Sequence, residues 1–480
     1  MKLLITLCGM LAVLCFVPVA HAAARTLTVG MSGNDVRMVQ QTLITKGYLS
    51  AAATGYFGPA TLAAVKKFQC ASAIVCAGAS YGIVGPKTQA ALGGSSAPTS
   101  SGQLEVGGWI PYWRSATGTA DVLPHLSKLT EISPFVLTLK SDGTLHDAGG
   151  LDKEPWVSFV GAARAQKVRV IPTVMSGSGD AIHAILSDTK KRIALEDEIA
   201  KFVKDNNFDG IDIDFEGKKA ETNPYFATFL KGLYQRMGNK WVYCTIEART
   251  PLDSRYDSTP PADAGIYAND FTAINKYCDR VQIMAYDQGT IDVKLNRARA
   301  APYIPVSDPA WAEKVLELTA QTIDKKKIIL GIATYGYEYS VTPLTEYGYR
   351  YDRQWAFNPT YATQLAAQLG IQPVRNSAGE LSFIYKSTTA TDKAVAVASK
   401  PGTIATDTLS NNVAPASAVY SQQAIAGSIQ PPFNILWWSD AQAVADKIAL
   451  AKKMGIRGVA LFKFDGGQDP GIWNILPALR

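Results

Sequence analysis

Histidine is scarce in this chain, with four in 480 residues: His21, His125, His146 and His183. No two of them stand at metal-ligand spacing, so a histidine-built metal centre is excluded and no metal is expected. Charge is also sparse. Only 18% of residues are Asp, Glu, Lys or Arg, against 47% hydrophobic, a balance that reads as folded and globular rather than disordered. The net charge of +6 is too small and too scattered to argue for nucleic acid, though it suits an anionic wall or membrane surface. Long apolar runs are missing except at one place. Lys2 precedes the apolar stretch Leu3 to Val19, then Ala20-His21-Ala22 follows, the pattern of an export leader (1–22) cleaved after Ala22. The alternative is a retained N-terminal anchor. Neither Cys8 nor Cys15 follows the small residue of a lipoprotein cleavage site. With no second apolar run, no membrane span is expected after cleavage, and the product is expected to be secreted or wall-associated.

Cysteine is limited too. Beyond the leader only Cys70, Cys76, Cys244 and Cys278 remain, and an exported protein can keep disulfides. Cys70 and Cys76 flank a turn and are expected to pair, a short loop whose closure contributes about 2 kcal/mol. Cys244 lies inside an apolar strand and Cys278 just ahead of another. A bond and two buried thiols are both open for them.

A chain of 480 residues exceeds a single core, so two or more domains are expected. A small helical unit spans 23–93. Val36, Val39, Leu43 and Tyr48 keep helical spacing there, with Ser32 or Asn34 as cap. Gly55-Tyr56-Phe57-Gly58-Pro59-Ala60-Thr61 recurs as Gly82-Ile83-Val84-Gly85-Pro86-Lys87-Thr88, each a Gly-Pro turn that feeds a helix. Tyr48, Tyr56 and Phe57 could be core or contact surface. A Gly/Ser-rich tether covers 94–103.

From 104 to 480, β-branched runs alternate with amphipathic stretches. Strands are predicted at 105–113, 131–138, 168–175, 210–216, 242–247, 280–286, 327–334 and 458–464. Helices are predicted at 156–166, 193–206, 224–236, 308–323 and 440–454. Eight strands separated by helices predict an α/β fold, a closed (β/α)8 TIM barrel. The last two strands are too far apart for one crossover, so an α+β insertion is expected at about 339–434, before the last helix and strand. It should hold a helix near 361–369 and strand-like pieces near 380–385.

The most informative run is Phe208-Asp209-Gly210-Ile211-Asp212-Ile213-Asp214-Phe215-Glu216, on the fourth strand. Strand alternation sets Asp212, Asp214 and Glu216 on one face and Ile211, Ile213 and Phe215 on the other. Clustered carboxylates can bind calcium or magnesium, or be solvated edges. The apolar opposite face argues for a central strand instead. Neighbouring carboxyls resist joint ionisation, so at least one should hold a proton near neutral pH, as acid-catalysed acetal cleavage requires. Glu216 stands at the strand's C-terminal end, where barrels of this kind carry their active sites.

Asp209, Gly210, Asp212, Asp214 and Glu216 together resemble the D-G-x-D-x-D-x-E signature of glycoside hydrolase family 18, which contains chitinases and related N-acetylglucosaminidases. Met284-Ala285-Tyr286-Asp287 resembles that family's M-x-Y-D. Ser176-Gly177-Ser178-Gly179 and Tyr335-Gly336-Tyr337 resemble turns of its members, the former with altered spacing. The resemblance implies substrate-assisted retention without a protein nucleophile or cofactor. Glu216 would be the general acid/base, with Asp214 holding the substrate's acetamido N–H. Asp212 would share a proton with Asp214, and Tyr286 would donate to the acetamido oxygen. Asp209, of opposite parity, reads as a structural acceptor. Candidate sugar contacts are Trp109, Tyr112, Met284, Asp287, Trp437 and Phe462, with Trp113 and Trp438 as neighbours. Relatives usually carry Trp where Phe462 stands. Glu247 and Arg249 are unusually charged for a barrel rim, and could pair or read a substrate substituent.

The small unit resembles the peptidoglycan-binding domain of bacterial wall hydrolases, and the layout resembles spore-cortex-lytic family members. The resemblance therefore implies an exported enzyme, expected to be a monomer, that cleaves β-1,4 bonds next to N-acetylglucosamine in peptidoglycan. The alternatives are a wall-anchored chitinase and a non-catalytic sugar-binding barrel.

Overall fold

The architecture was obtained as a computed structural model, which describes residues 26–32, 34–92, 104–344, 348–386 and 433–476. The expected leader, the Gly/Ser tether and residues 387–432 of the insertion lie outside the described residues.

Eight parallel strands close on themselves: β1 (Glu105–Pro111), β2 (Glu131–Leu139), β3 (Thr173–Ser176), β4 (Gly210–Phe215), β5 (Trp241–Glu247), β6 (Arg280–Met284), β7 (Ile328–Ala333) and β8 (Gly458–Phe462). β1 pairs with both β8 and β2, which closes the ring. Helices such as Trp156–Ala165, Thr189–Asp205, Asn223–Met237, Pro309–Ala320 and Ala441–Met454 cover the outside. This is the (β/α)8 barrel that the alternation of apolar runs predicts. The outward face of β4, Ile211, Ile213 and Phe215, is fully buried against that layer, and Phe215 stacks on Phe229 at 5.7 Å. Burying these three side chains stabilises the strand by about 1.5–3 kcal/mol each and fixes which face turns inward.

The barrel floor is ionic. Glu105, 1% exposed at the start of β1, accepts from Arg280 Nε at 2.6 Å and Nη2 at 2.9 Å, and from Arg457 Nη2 at 2.7 Å. Arg169 stands 3.3 Å away and also pairs with Glu131. A Cβ on Gly107 would lie 2.7 Å from Glu131 Cγ, so glycine makes room for that second carboxylate. Burial opposes ionisation of Glu105, but Arg280 and Arg169 outweigh it and hold the carboxyl well below its ordinary range. Two aspartates, one just before β4 and one just before β6, repeat one device. Asp209 Oδ2 accepts from Val170 N–H and Asp279 Oδ2 from Val242 N–H, each at 2.8 Å, tying the start of one strand to the next.

Cys244 of β5 and Cys278, just before β6, are joined in a disulfide, as are Cys70 and Cys76. For the first pair the sequence leaves bond and thiols equally open, because nothing in it reports that their Cα atoms come within 5.9 Å.

An antiparallel sheet stands between β7 and the last helix. In order it comprises Tyr349–Phe357, Gly336–Pro343, Phe433–Trp438, Leu381–Tyr385 and Val374–Arg375, with helix Pro359–Leu369 packed on it. The sheet starts at Gly336 and ends at Trp438, slightly wider than the expected 339–434, because Gly336 pairs directly with Trp438. Buried Glu338 gathers the lobe, accepting from Trp355 Nε1, Tyr361 Oη, Tyr385 Oη and Asn434 Nδ2.

The small unit has its own core, built from Val36, Leu43, Phe57, Val65, Phe68 and Val84 around three helices, α1 (Asn34–Thr45), α2 (Pro59–Ala71) and α3 (Pro86–Ala91). Its sequence echo has a physical cause in two buried glutamines. Gln40 accepts from Gly55 N–H and donates to Tyr56 O and Thr61 Oγ1. Gln69 makes the same three bonds to Gly82, Ile83 and Thr88. Of the ambiguous aromatics, Phe57 is core, Tyr56 is half exposed, and Tyr48 packs edge-on against Phe68. The unit also touches the barrel directly. Buried Lys87 of α3 donates to Tyr234 O at 3.2 Å, lies 3.6 Å from the Tyr234 ring centre, and faces Asp279 at 3.8 Å. Tyr234 lies in the last turn of the helix Asn223–Met237 that leads into β5, and Asp279 immediately precedes β6.

Replacing Glu105 by Gln should remove the counter-charge from three guanidinium groups, of which that of Arg280 is buried, and cost about 3–5 kcal/mol, read as a lowered thermal midpoint near pH 7. Because the folded carboxyl is depressed from 4.5, its contribution is present above that value and fades as pH falls through the folded one. The variant should therefore show a shallower loss of stability on acidification than the wild type; an unchanged midpoint and slope would contradict this.

Candidate active site

β4 carries its inward carboxylates in register with threonines on both neighbours. Asp212 stands opposite Thr173 of β3, and Asp214 opposite Thr245 of β5. Asp212 is fully buried. Its Oδ2 accepts from Thr173 Oγ1 at 2.8 Å and Trp109 Nε1 at 3.0 Å, and its Oδ1 from Thr245 Oγ1 at 2.8 Å. Gln282 of β6 donates in turn to Thr245 Oγ1 at 3.2 Å. Burial still outweighs these donors, and the Asp212 carboxyl titrates above its usual range.

One pleat further on, Asp214 is 4% exposed, and its Oδ1 has no hydrogen-bond partner among the described residues. Burial, then the negative charges of Glu216 and Asp212, push its pKa well upward. Glu216 follows the strand at the C-terminal mouth, its N–H donating to Ser176 O at 2.8 Å. Burial and the Glu247 carboxylate lift Glu216 to about 8, against the opposing pull of Lys218. A carboxylic acid is thus available at neutral pH, which is what protonation of a leaving oxygen needs.

Facing them at the end of β6 are Tyr286 and Asp287. Tyr286 is 9% exposed; burial and then Asp214 keep its hydroxyl protonated far above its ordinary range, so it remains a donor. Gly331 of β7 permits its position, since a Cβ there would come 3.1 Å from Tyr286 Cε1 and 2.5 Å from Ile283 O. Asp287 has φ +57°, a left-handed backbone costly for a non-glycine residue, and its Oδ1 accepts from Tyr335 Oη at 2.6 Å and Tyr337 Oη at 2.8 Å. Phe462 lies among Trp109, Phe135, Tyr286 and Tyr335, each ring centre 5.9–6.2 Å away. It is half buried, and Met284 likewise.

The structure therefore brings Asp212, Asp214, Glu216, Tyr286, Asp287 and Phe462 to one mouth. Tyr112 stands at its edge, 36% exposed, with its ring 4.9 Å from Trp113. Trp109 and Trp437 take other places. Each is 1% exposed, too covered to offer a ring face to a sugar. Trp109 serves Asp212 from beneath, and Trp437 packs against Tyr303 in the lobe sheet. Glu247 and Arg249 do not pair with each other. Arg249 lies between the rings of Tyr267 and Phe271, at 3.6 and 3.8 Å, while Glu247 turns to Lys218, Asn269 and Gly217. Among the described residues no cluster of His, Cys, Asp and Glu could hold a metal ion.

Residues 108–467 match the description "Glycosyl hydrolases family 18", three quarters of the chain. The chain belongs to glycosyl hydrolase family 18. Residues 32–92 match "Putative peptidoglycan binding domain". Among solved structures, the spore cortex-lytic enzyme SleL of Bacillus megaterium QM B1551 is similar at 20% identity and TM-score 0.56, over 80% of this chain and 76% of that one. A chitinase from Chromobacterium violaceum ATCC 12472 is similar at 18% identity and TM-score 0.57, over 78% and 99%. Both show the shared barrel. The uncharacterized glycosylase YvbX of Bacillus subtilis (strain 168) is 26% identical over 34% of this chain and 44% of its own length. The chain thus spans less than half the length of that curated relative.

In this family 18 barrel, sequence reasoning missed the threonines and the indole that hold Asp212. The inward parity of Thr173 and Thr245 in the two strands flanking the acidic run was the available signal for the threonines. It also missed why the third-strand turn is glycine-rich. A Cβ on Gly179 would lie 2.2 Å from the carbonyl oxygen of Gly217, the residue after Glu216. Gly179→Ala should displace that peptide and lower kcat by about 100-fold, as a misplacement near 1 Å can, while far-UV circular dichroism stays unchanged; an unaltered kcat would contradict the assigned role.

Proposed function

We propose that this protein is an exported glycosidase that hydrolyses β-1,4 bonds next to N-acetylglucosamine in bacterial peptidoglycan, by a retaining mechanism in which the substrate's 2-acetamido group is the nucleophile. The observation that carries the reading is the division of labour among the carboxyls. Burial and the Glu247 carboxylate lift Glu216 to about 8, which favours its acid form at neutral pH, and Asp214 presents a buried oxygen with no partner among the described residues, near the donor Tyr286.

Glu216 protonates the glycosidic oxygen as the bond to the anomeric carbon breaks. The acetamido carbonyl oxygen attacks that carbon and gives an oxazolinium ring. Asp214, giving up its proton toward Asp212 as the ring forms, accepts from the acetamido N–H, which raises the carbonyl's nucleophilicity and lets its carboxylate balance the developing positive charge. Tyr286 donates to the acetamido oxygen and aligns it. Asp212 supports Asp214 from one pleat below and shares its proton as the charge moves. Glu216, now a carboxylate, removes a proton from the water that opens the ring. Phe462, Met284, Tyr112 and Asp287 line the sugar-binding surface, and Trp109 works through Asp212. Phe462 gives the sugar a smaller platform than a tryptophan would, without an indole N–H.

The match of residues 32–92 to a peptidoglycan-binding family supports the wall as the polymer, since a linked module raises the local concentration of its substrate. It equally supports an extracytoplasmic place of action, and among the described residues no helix is long and apolar enough to cross a membrane.

Glu216→Gln should lower kcat by 10³-fold or more while binding of wall fragments is retained, measured by turnover and calorimetry on one preparation. Mass spectrometry of wild-type digests should show purified peptidoglycan cleaved with N-acetylglucosamine at the new reducing ends. Cleavage of chitin oligomers with peptidoglycan left intact would assign the enzyme to chitin instead.

A further inference from the structure

Glu216 is the residue on which the proposed function rests, and a clamp that the family signature does not contain surrounds it. The peptide on its N-terminal side ends in Phe215 O, which accepts from Lys218 Nζ. The peptide on its C-terminal side begins with Gly217 N–H, which donates to Glu247 Oε1 at 2.9 Å. Glu247 Oε2 accepts from Asn269 Nδ2 at 2.9 Å and faces Lys218 Nζ at 3.5 Å, which closes the clamp. Lys218 is almost fully enclosed, its side chain 1% exposed. Two side chains from different elements thus hold the backbone immediately before and after the acid, and they carry opposite charges.

We infer that Glu247 is a positioning residue for the hydrolysis, fixing the Glu216 peptide and keeping a proton on Glu216 through its own negative charge, with Lys218 as the counterweight.

The charged and titratable groups that face Glu216 are few. Asp214 lies on its own strand, Lys218 in its own loop, Glu247 at the end of β5, and Tyr286 and Asp287 at the end of β6. Burial raises the Glu216 pKa first, Glu247 raises it next, and Lys218 lowers it. The Glu247 side chain is 38% exposed; its partial burial opposes its ionisation, yet Lys218, Asn269 and the Gly217 N–H together leave it below its ordinary range. Two nearby carboxyls are driven apart, one toward the acid and one toward the anion, which is how paired carboxyls acquire separate roles. Neither the D-G-x-D-x-D-x-E run nor M-x-Y-D contains Glu247 or Lys218.

The test is the pH dependence of kcat/KM on soluble wall fragments for wild type, E247Q, E247D and K218Q, each checked for folding by thermal melt. Glutamine keeps an acceptor for the Gly217 N–H but removes the charge, so the alkaline limb of E247Q should move to lower pH by about one unit. E247D keeps the charge and should hold the limb near its wild-type position even where kcat falls. K218Q should move it to higher pH. An E247Q limb at the wild-type position, with or without a loss of kcat, overturns the inference and leaves a merely structural clamp. Full turnover by E216Q in the same assay would instead overturn the reading of Glu216 as the acid, so the two failures are told apart.

Discussion

A carboxylate enclosed by a β-barrel loses its hydration, and Asp212 shows how much surrounding sequence compensates that loss. Its two oxygens draw hydroxyls from β3 and β5 and an indole N–H from β1, and Gln282 of β6 orders one of those hydroxyls. Four strands therefore converge on a side chain carried by a fifth. An unmatched buried charge would cost several kcal/mol, so these donors cannot be exchanged for apolar residues without altering what Asp214 and Glu216 can do above it. Desolvation is also the useful force. It is the largest contribution to the raised pKa of all three acids on this face.

The two ends of the barrel answer the same problem in opposite ways. At the floor, Glu105 meets Arg280, Arg457 and Arg169, and the ion stays charged. At the mouth, Asp214 and Glu216 have few cations near them, and protons are retained instead. The lower layer can therefore be a rigid plug while the upper layer remains chemically responsive. The small N-terminal unit meets the barrel through Lys87 at the floor end, by Tyr234 and Asp279, away from the mouth.

Much of this was legible in the amino-acid order. The eight apolar runs fall on the eight barrel strands, and the alternation of Asp212, Ile213 and Asp214 announces an inward acidic face. The lobe was legible as an interruption of the alternation, with its helix and one strand close to where periodicity puts them. What was not legible depends on contacts between distant segments. Thr173, Thr245 and Trp109 look like ordinary strand residues until register sets them around Asp212. Trp109 and Trp437 read as sugar platforms because aromatic type is visible in a sequence and burial is not. Gln40 and Gln69 generate the repeat of the small unit, yet they stand outside the repeated segments that draw the eye. The pairing of Cys244 with Cys278 likewise needed their spatial approach.

The central claim is that this barrel keeps Glu216 protonated at neutral pH so that it can act as an acid. Difference infrared spectroscopy of the wild type against E216Q, followed across pH 4 to 10, observes that proton directly. The account predicts a protonated carboxyl stretch assigned to Glu216 that persists through pH 7 and disappears near pH 8. A band already lost near the ordinary glutamate value of 4.5 would contradict it.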